Sequence, residues 1–261
     1  CNLNESTARE VHEQGLRYEF ARMGSEYIVN TQMLCSETST ARSKLAMGAL
    51  KHAKKHDFFL NEFMPIQESD ETLGELVSIS DAYVHKSKIG VEMRFTNRPL
   101  DIRRMKSARY FKLINSNGLF GIAVLDPYRS APTQNAFMLN IVRFSPTRQW
   151  GVYLSVVYKL CEILALEGVT ELSLGLAPMD KIDMPVEFPQ GKALSKLVTQ
   201  LYTKRYELFV SKALERIKID LAEVNKPRYM AIRTQSPVLG LVALLKAMDV
   251  PLVKTALKLA F

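Results

Sequence analysis

Cysteine and histidine are too few and too scattered to build a metal centre. The three cysteines, Cys1, Cys35 and Cys161, lack ligand-like spacing. They give no disulfide scaffold and fit a reducing compartment. Cys161 falls in an apolar helical run and reads as core. Of the four histidines, His52 and His56 share a helix face, but Lys51, Lys54 and Lys55 crowd around them, which reads as a basic solvated face. No apolar run is long enough to span a bilayer, and no stretch reads as a secretory signal. A Ser-His-Asp pattern and a Gly-rich phosphate loop are both missing, so neither triad hydrolysis nor P-loop chemistry is indicated. The sequence also lacks an initiator methionine and reads as part of something longer.

What is present describes a folded, basic protein. The 261 residues are 47% apolar and 24% charged, enough for one large domain or two small ones. The net charge of +8 points toward nucleic acid, an anionic membrane surface or acidic ligands, with a basic solvated surface as the plain alternative.

Periodicity predicts the element order. Glu5–Gln14 reads as a helix closed by Gly15, Tyr18–Val29 as one or two strands, Ser39–His56 as a basic helix and Phe58–Phe63 as a strand. A polar linker from Pro65 to Asp70 leads into a helix over Glu68–Lys86. The densest basic cluster, Arg98, Arg103, Arg104, Lys106, Arg109 and Lys112, is either a solvated face or a phosphate contact. Tyr110–Asn115 and Leu119–Leu125 pair as a hairpin. Ala136–Phe144, Val152–Leu166 and Glu171–Leu176 then form a strand–helix–strand unit, broken at Gly168, with a helix N-terminus beside a strand end, which suits an anion. Lys192–Tyr206 reads as helix and Arg228–Arg233 as a short last strand. In the tail, Lys246, Lys254 and Lys258 lie beside an apolar helical face, as in a core helix or one resting on anionic lipid. Asp180 and Asp183 read as loop aspartates, solvated turn formers or acid–base groups.

This order is the layout of the N-acetyltransferase superfamily, and Arg148-Gln149-Trp150-Gly151 before a helix suggests its acyl-donor cradle. From about Gln14 to the tail the sequence resembles, more specifically, the C-terminal synthase domain of bacterial phosphatidylglycerol lysyltransferases. Gln14-Gly15-Leu16-Arg17 and Met23-Gly24-Ser25-Glu26-Tyr27-Ile28-Val29 look like two of its N-terminal stretches, and Ser43-Lys44-Leu45 like its Asn-Leu-Arg helix. Glu92 and Phe95 match a Glu-Lys-Gly-Phe pattern. Asn140-Ile141-Val142-Arg143 is similar to Asp-Leu-Met-Arg, and Ser173–Met179 to Asn-Leu-Gly-Met-Ala-Pro-Leu. Lys212-Ala213-Leu214, Lys218 and Pro227-Arg228-Tyr229 resemble Lys-Gly-Leu, the first Lys of Lys-Glu-Lys-Phe, and Pro-Arg-Tyr. The chain departs from the pattern at Asn140, an aspartate in the family, at Leu154, an acidic position, and at Asp220 and Asn225, which stand for Lys and Trp.

The resemblance implies an α+β protein of tandem N-acetyltransferase-like folds, mixed central sheets flanked by helices, with the first fold truncated. The expected divisions are a partial first half over 1–66, a complete domain over 67–235 and amphipathic C-terminal helices over 236–261. It implies an aminoacyltransferase that moves an aminoacyl group from aminoacyl-tRNA to the hydroxyl of a phosphatidylglycerol-like phospholipid at the inner face of the cell membrane. Alternatives are a catalytically impaired binding or regulatory protein and an acyl-CoA-dependent N-acyltransferase. Asn140 and Arg143 are the expected catalytic residues, and Glu92, Lys212, Lys218, Arg228 and Tyr229 the expected substrate-binding ones. Arg143 and Lys212 are expected in one cleft. An amide at 140 can orient a hydroxyl but cannot accept its proton. Aminoacyl-tRNA and an anionic phospholipid or membrane surface are the implied partners, and no metal or redox cofactor is implied.

Overall fold

The structure, a computed structural model, describes residues 2–15, 18–35, 41–86, 99–102, 107–131, 134–145, 151–178, 180–181, 196 and 212–233. Eight strands form one mixed sheet: β1 (Asn2–Leu3), β2 (Tyr18–Asn30), β3 (Phe59–Phe63), β4 (Arg109–Asn115), β5 (Gly118–Ala131), β6 (Gln134–Phe144), β7 (Glu171–Pro178) and β8 (Val224–Arg233). Their spatial order is β1-β8-β2-β7-β6-β5-β4-β3. The expected division at residue 66 falls within this sheet: β1 and β2 precede it yet pair with β8 and β7, and β3 pairs with β4.

Six helices accompany the sheet among the described residues: α1 (Glu5–Glu13), α2 (Thr31–Cys35), α3 (Ala41–Lys55), α4 (Asp70–His85), α5 (Val152–Leu166) and α6 (Lys212–Leu221). Local chemistry sets their ends. Asn4 Oδ1 accepts from the Thr7 N–H to start α1, and Ser69 Oγ accepts from the Thr72 N–H to start α4.

Period-2 alternation divides the strands between two cores. Phe111, Leu113, Ala123, Leu125, Leu139, Leu172 and Leu174 face a layer in which α2, α3, α5 and α6 bury Leu34, Ala53, Val156, Leu160 and Leu221. On the other face Tyr110, Ile122, Val124 and Ile141 meet Leu73 and Leu76 of α4. β2 is buried from Phe20 to Val29, polar residues included, because β7 and β8 flank it in the middle of the sheet.

The hairpin, the helix over Val152–Leu166 and the basic helix stand where the sequence puts them. The last strand does not: β8 begins at Val224 and is internal, with β1 and β2 on its two sides. Its polar start, Val-Asn-Lys-Pro, hides the strand from a hydrophobicity count. His52 departs from the solvated reading: its Nδ1 lies 3.2 Å from Ser155 Oγ, and its ring would meet a Cβ at Gly151 within 2.7 Å. Gly151, at φ +77°, is thus needed both for the left-handed cap of α5 and for the close approach of α3. Apart from Lys196, which is helical and exposed, the helix expected over Lys192–Tyr206 and the tail from 236 to 261 lie outside the described residues.

Candidate active site

β6 and β7 are parallel neighbours joined by α5, and their ladder is short. Pairing runs through Ala136↔Glu171, Phe137↔Leu172 and Met138↔Ser173, although β6 continues to Phe144 and β7 to Pro178. Beyond Met138 and Ser173 the strands are no longer paired to each other, so alternate main-chain groups of both line a wedge. A bulge marks the point of divergence. Val124 pairs with Ile141 and Leu125 with Leu139, leaving Asn140 as the extra residue. Farther along, opposite Phe144, Gly121 lets β5 close against β6, since a Cβ would sit 2.6 Å from the Arg143 carbonyl oxygen.

A row of polar side chains crosses the sheet at this level. Asn140 Nδ2 donates to Asp126 Oδ2 on β5 at 2.5 Å. Ser173 Oγ, on β7, donates to Glu26 Oε1 on β2 at 2.5 Å. The other Glu26 oxygen accepts from Arg228 on β8. Glu26 and Ser173 are buried, while Asp126, Asn140 and Arg228 are half-buried. The row therefore runs from partly wet at β5 to dry at β2, a gradient that strengthens charge-assisted bonds toward the middle of the sheet.

Arg143 lies three residues past the bulge on the α4 face, buried, with its guanidinium donating to Ser80 Oγ at 2.6 Å. Burial raises the Tyr83 phenol above its usual range and the nearby Arg143 charge opposes that rise. On the far side of the wedge, α6 brings Lys218 to the end of β7, where its ammonium donates to the Leu176 carbonyl at 3.1 Å. Burial pulls the Lys218 pKa down to about 8, with Glu26 and Glu215 resisting. Burial and the neighbouring Asp180 raise the Glu215 carboxyl. Asp180 is buried and accepts from Tyr27 Oη at 2.8 Å, so it is no solvated turn former. Burial, then that hydrogen bond, holds the Tyr27 phenol in its neutral form.

The other expected site residues have different surroundings. Tyr229 is 1% exposed and packs with Ala8 and Phe20, so its ring is core. Arg228 serves Glu26 directly. Lys212 opens α6, which packs on the face opposite Arg143; its side chain, and the whole of Glu92, lie outside the described residues. Two members of the basic cluster are neutralised. Arg109 is chelated by Glu62 and Glu167, and Lys112 donates to Glu68 at 2.6 Å. Sequence reasoning missed Asp126, Ser80 and the role of Glu26, because each acts through a partner on another element; it singled out Asp180 but not its partner Tyr27. No group of three metal-ligating side chains occurs among the described residues. An open hollow of about 700 Å³ is lined by Tyr128, Asn135, Phe137 and Glu167, where the β6–β7 ladder begins.

A family model described as phosphatidylglycerol lysyltransferase, C-terminal, matches residues 1–232. The L-PGS structure from Bacillus licheniformis superposes with a TM-score of 0.70 at 17% identity, covering 93% of this chain and 70% of that one. A C-terminal domain from Agrobacterium fabrum assigned as a lysylphosphatidylglycerol synthetase gives 0.69 at 15% identity, covering 92% and 69%. A conserved protein of unknown function from Bacteroides thetaiotaomicron gives 0.53 at 12%, covering 86% and 65%. At these identities the likeness establishes the α+β fold. No curated protein matches the sequence.

Proposed function

We propose, from the premise that this chain belongs to the phosphatidylglycerol lysyltransferase C-terminal family, that it transfers an aminoacyl group from aminoacyl-tRNA to a hydroxyl of a phosphatidylglycerol-like membrane lipid. The observation that carries the reading is the polar row where the β6–β7 ladder ends. Acyl transfer needs main-chain donors beside the reacting carbonyl and side chains that hold the incoming hydroxyl, and a wedge between parallel strands offers both. In this reading Asn140 orients the hydroxyl. Arg143, held by Ser80, binds an anionic oxygen of one substrate. Lys218 stabilises charge at the end of β7. The cytoplasmic membrane face is the proposed place of work. Among the described residues no helix is long and apolar enough to cross a membrane, so the lipid would be met from its surface.

A second reading, a binding or regulatory protein of the same fold, is favoured by the amide at Asn140 and by Leu154, which packs against the main core. Labelled aminoacyl-tRNA incubated with the protein and a lipid extract decides between them. The transferase reading expects label in the lipid phase, and Arg143→Ala lowering the rate about tenfold to a hundredfold for the loss of a charge-assisted bond of ~1.5–3 kcal/mol. Specific retention of lipid or tRNA without label transfer would favour the second reading.

A further inference from the structure

We propose that Asp126 is the catalytic base of the transfer, standing on β5 in place of the carboxylate that the resembled family carries at position 140. The inference rests on the transferase reading above. Asn140 is the bulged residue at the wedge, and its amide cannot take a proton. Its Nδ2 is 2.5 Å from Asp126 Oδ2, so the carboxylate lies one hydrogen bond from the position the chain has emptied of acid. Register explains how it gets there. Asp126 pairs with Met138, and Met138 with Ser173, so Asp126 is level with the last rung of the β6–β7 ladder. Two other carboxylates at this level are buried and held by their own partners. Glu26 has one oxygen on Ser173 and the other on Arg228. Asp180 is buried at the end of β7 and engaged by Tyr27. Asp126 is half-buried, which leaves it within reach of a bound substrate.

In the step proposed, the acceptor hydroxyl gives its proton to the Asp126 carboxylate while its oxygen attacks the ester carbonyl carbon of the aminoacyl donor. The carbonyl π electrons move to the carbonyl oxygen and return as the ester bond to the tRNA 3′-terminal ribose breaks. The ribose oxygen leaves with a proton, drawn from Asp126, which regenerates the carboxylate. Asn140 holds Asp126 in place through the hydrogen bond and gives up nothing.

The test exchanges the two side chains. Transfer of labelled amino acid from aminoacyl-tRNA to dispersed phosphatidylglycerol is measured for the wild type, Asp126→Asn, Asn140→Asp and the double exchange. Asp126→Asn is expected to lower kcat by about 10²–10⁴-fold, the usual share of a general base, with the KM for aminoacyl-tRNA changed less than about threefold. The double exchange keeps an amide–carboxylate pair and should restore kcat to within about tenfold of wild type. A rate for Asp126→Asn within threefold of wild type overturns the proposal, as does a double exchange as slow as the single variant; both leave the transferase reading standing. A wild type that transfers nothing from any aminoacyl donor sinks the reading and the proposal together. Should Asp126→Asn fail to fold, Asp126→Glu carries the test: kcat falls with KM changed less than about threefold, and an unchanged kcat overturns the proposal.

Discussion

Lys218 shows how one buried cation ties stability to pH. Its ammonium is lodged against the Leu176 carbonyl, and burial lowers its pKa from the ordinary 10.5 to about 8. Between those values the unfolded chain binds a proton that the folded chain has released, so stability rises with pH across that window. The span corresponds to roughly 3 kcal/mol at most. Urea titrations at pH 7.5, 9 and 10.5 should show this rise in the wild type and a flatter profile in Lys218→Met, which also removes the cost of a buried charge. Equal slopes for both proteins would mean that Lys218 is charged in the fold throughout. The sequence singles out Lys218 and Arg143 because both sit in motifs. It cannot reveal that Asn140 answers to Asp126 or Tyr27 to Asp180, since those partners are set by strand register and by a contact spanning most of the chain.

Among the elements, β3, β4 and α5 meet at Arg109. Its guanidinium donates to both oxygens of Glu62 and both of Glu167, at 2.5–2.7 Å, and lies over the rings of Phe111 and Phe137. The glutamates are 44% and 43% exposed, so solvent discounts the ion pairs; the bidentate geometry and ring contacts restore part of that. Arg109→Ala should cost about 1–3 kcal/mol, seen as a lower melting temperature, with Arg109→Lys recovering less than half because it cannot fork twice. An unchanged melting temperature would reduce the cluster to surface decoration. Elements with strong local signals, such as α5 with its apolar periodicity and the hairpin turn at 115–118, were legible in the sequence. β8 was half legible, because its place between β1 and β2 depends on pairing with segments far away. The partners of Arg109 and Lys112 in the basic cluster were hidden for the same reason, because Glu62, Glu68 and Glu167 come from other elements; Arg98, Arg103, Arg104 and Lys106 lie outside the described residues.

For the molecule as a whole, the net charge of +8 is partly concentrated on one helix. α3 has no acidic residue, and Lys44, Lys51, Lys54 and Lys55 are exposed on it beside Met47, which is 54% exposed. Reversing all four lysines to glutamate should weaken binding to phosphatidylglycerol-containing vesicles by more than about a hundredfold at low salt, taking ~1 kcal/mol per cation, and much less at high salt. Sedimentation with vesicles reads this out, and a parallel deletion of residues 237–261 measures the share of the tail. Unchanged sedimentation of the reversed variant would assign anionic binding to other surfaces. The sheet order has one more consequence, in the timing of synthesis. β2 leaves the ribosome early, yet both its neighbours, β7 and β8, come from the far end of the described chain. Its run of buried residues must therefore wait, unpaired and open to chaperones or to wrong partners, until nearly all of the domain has been made.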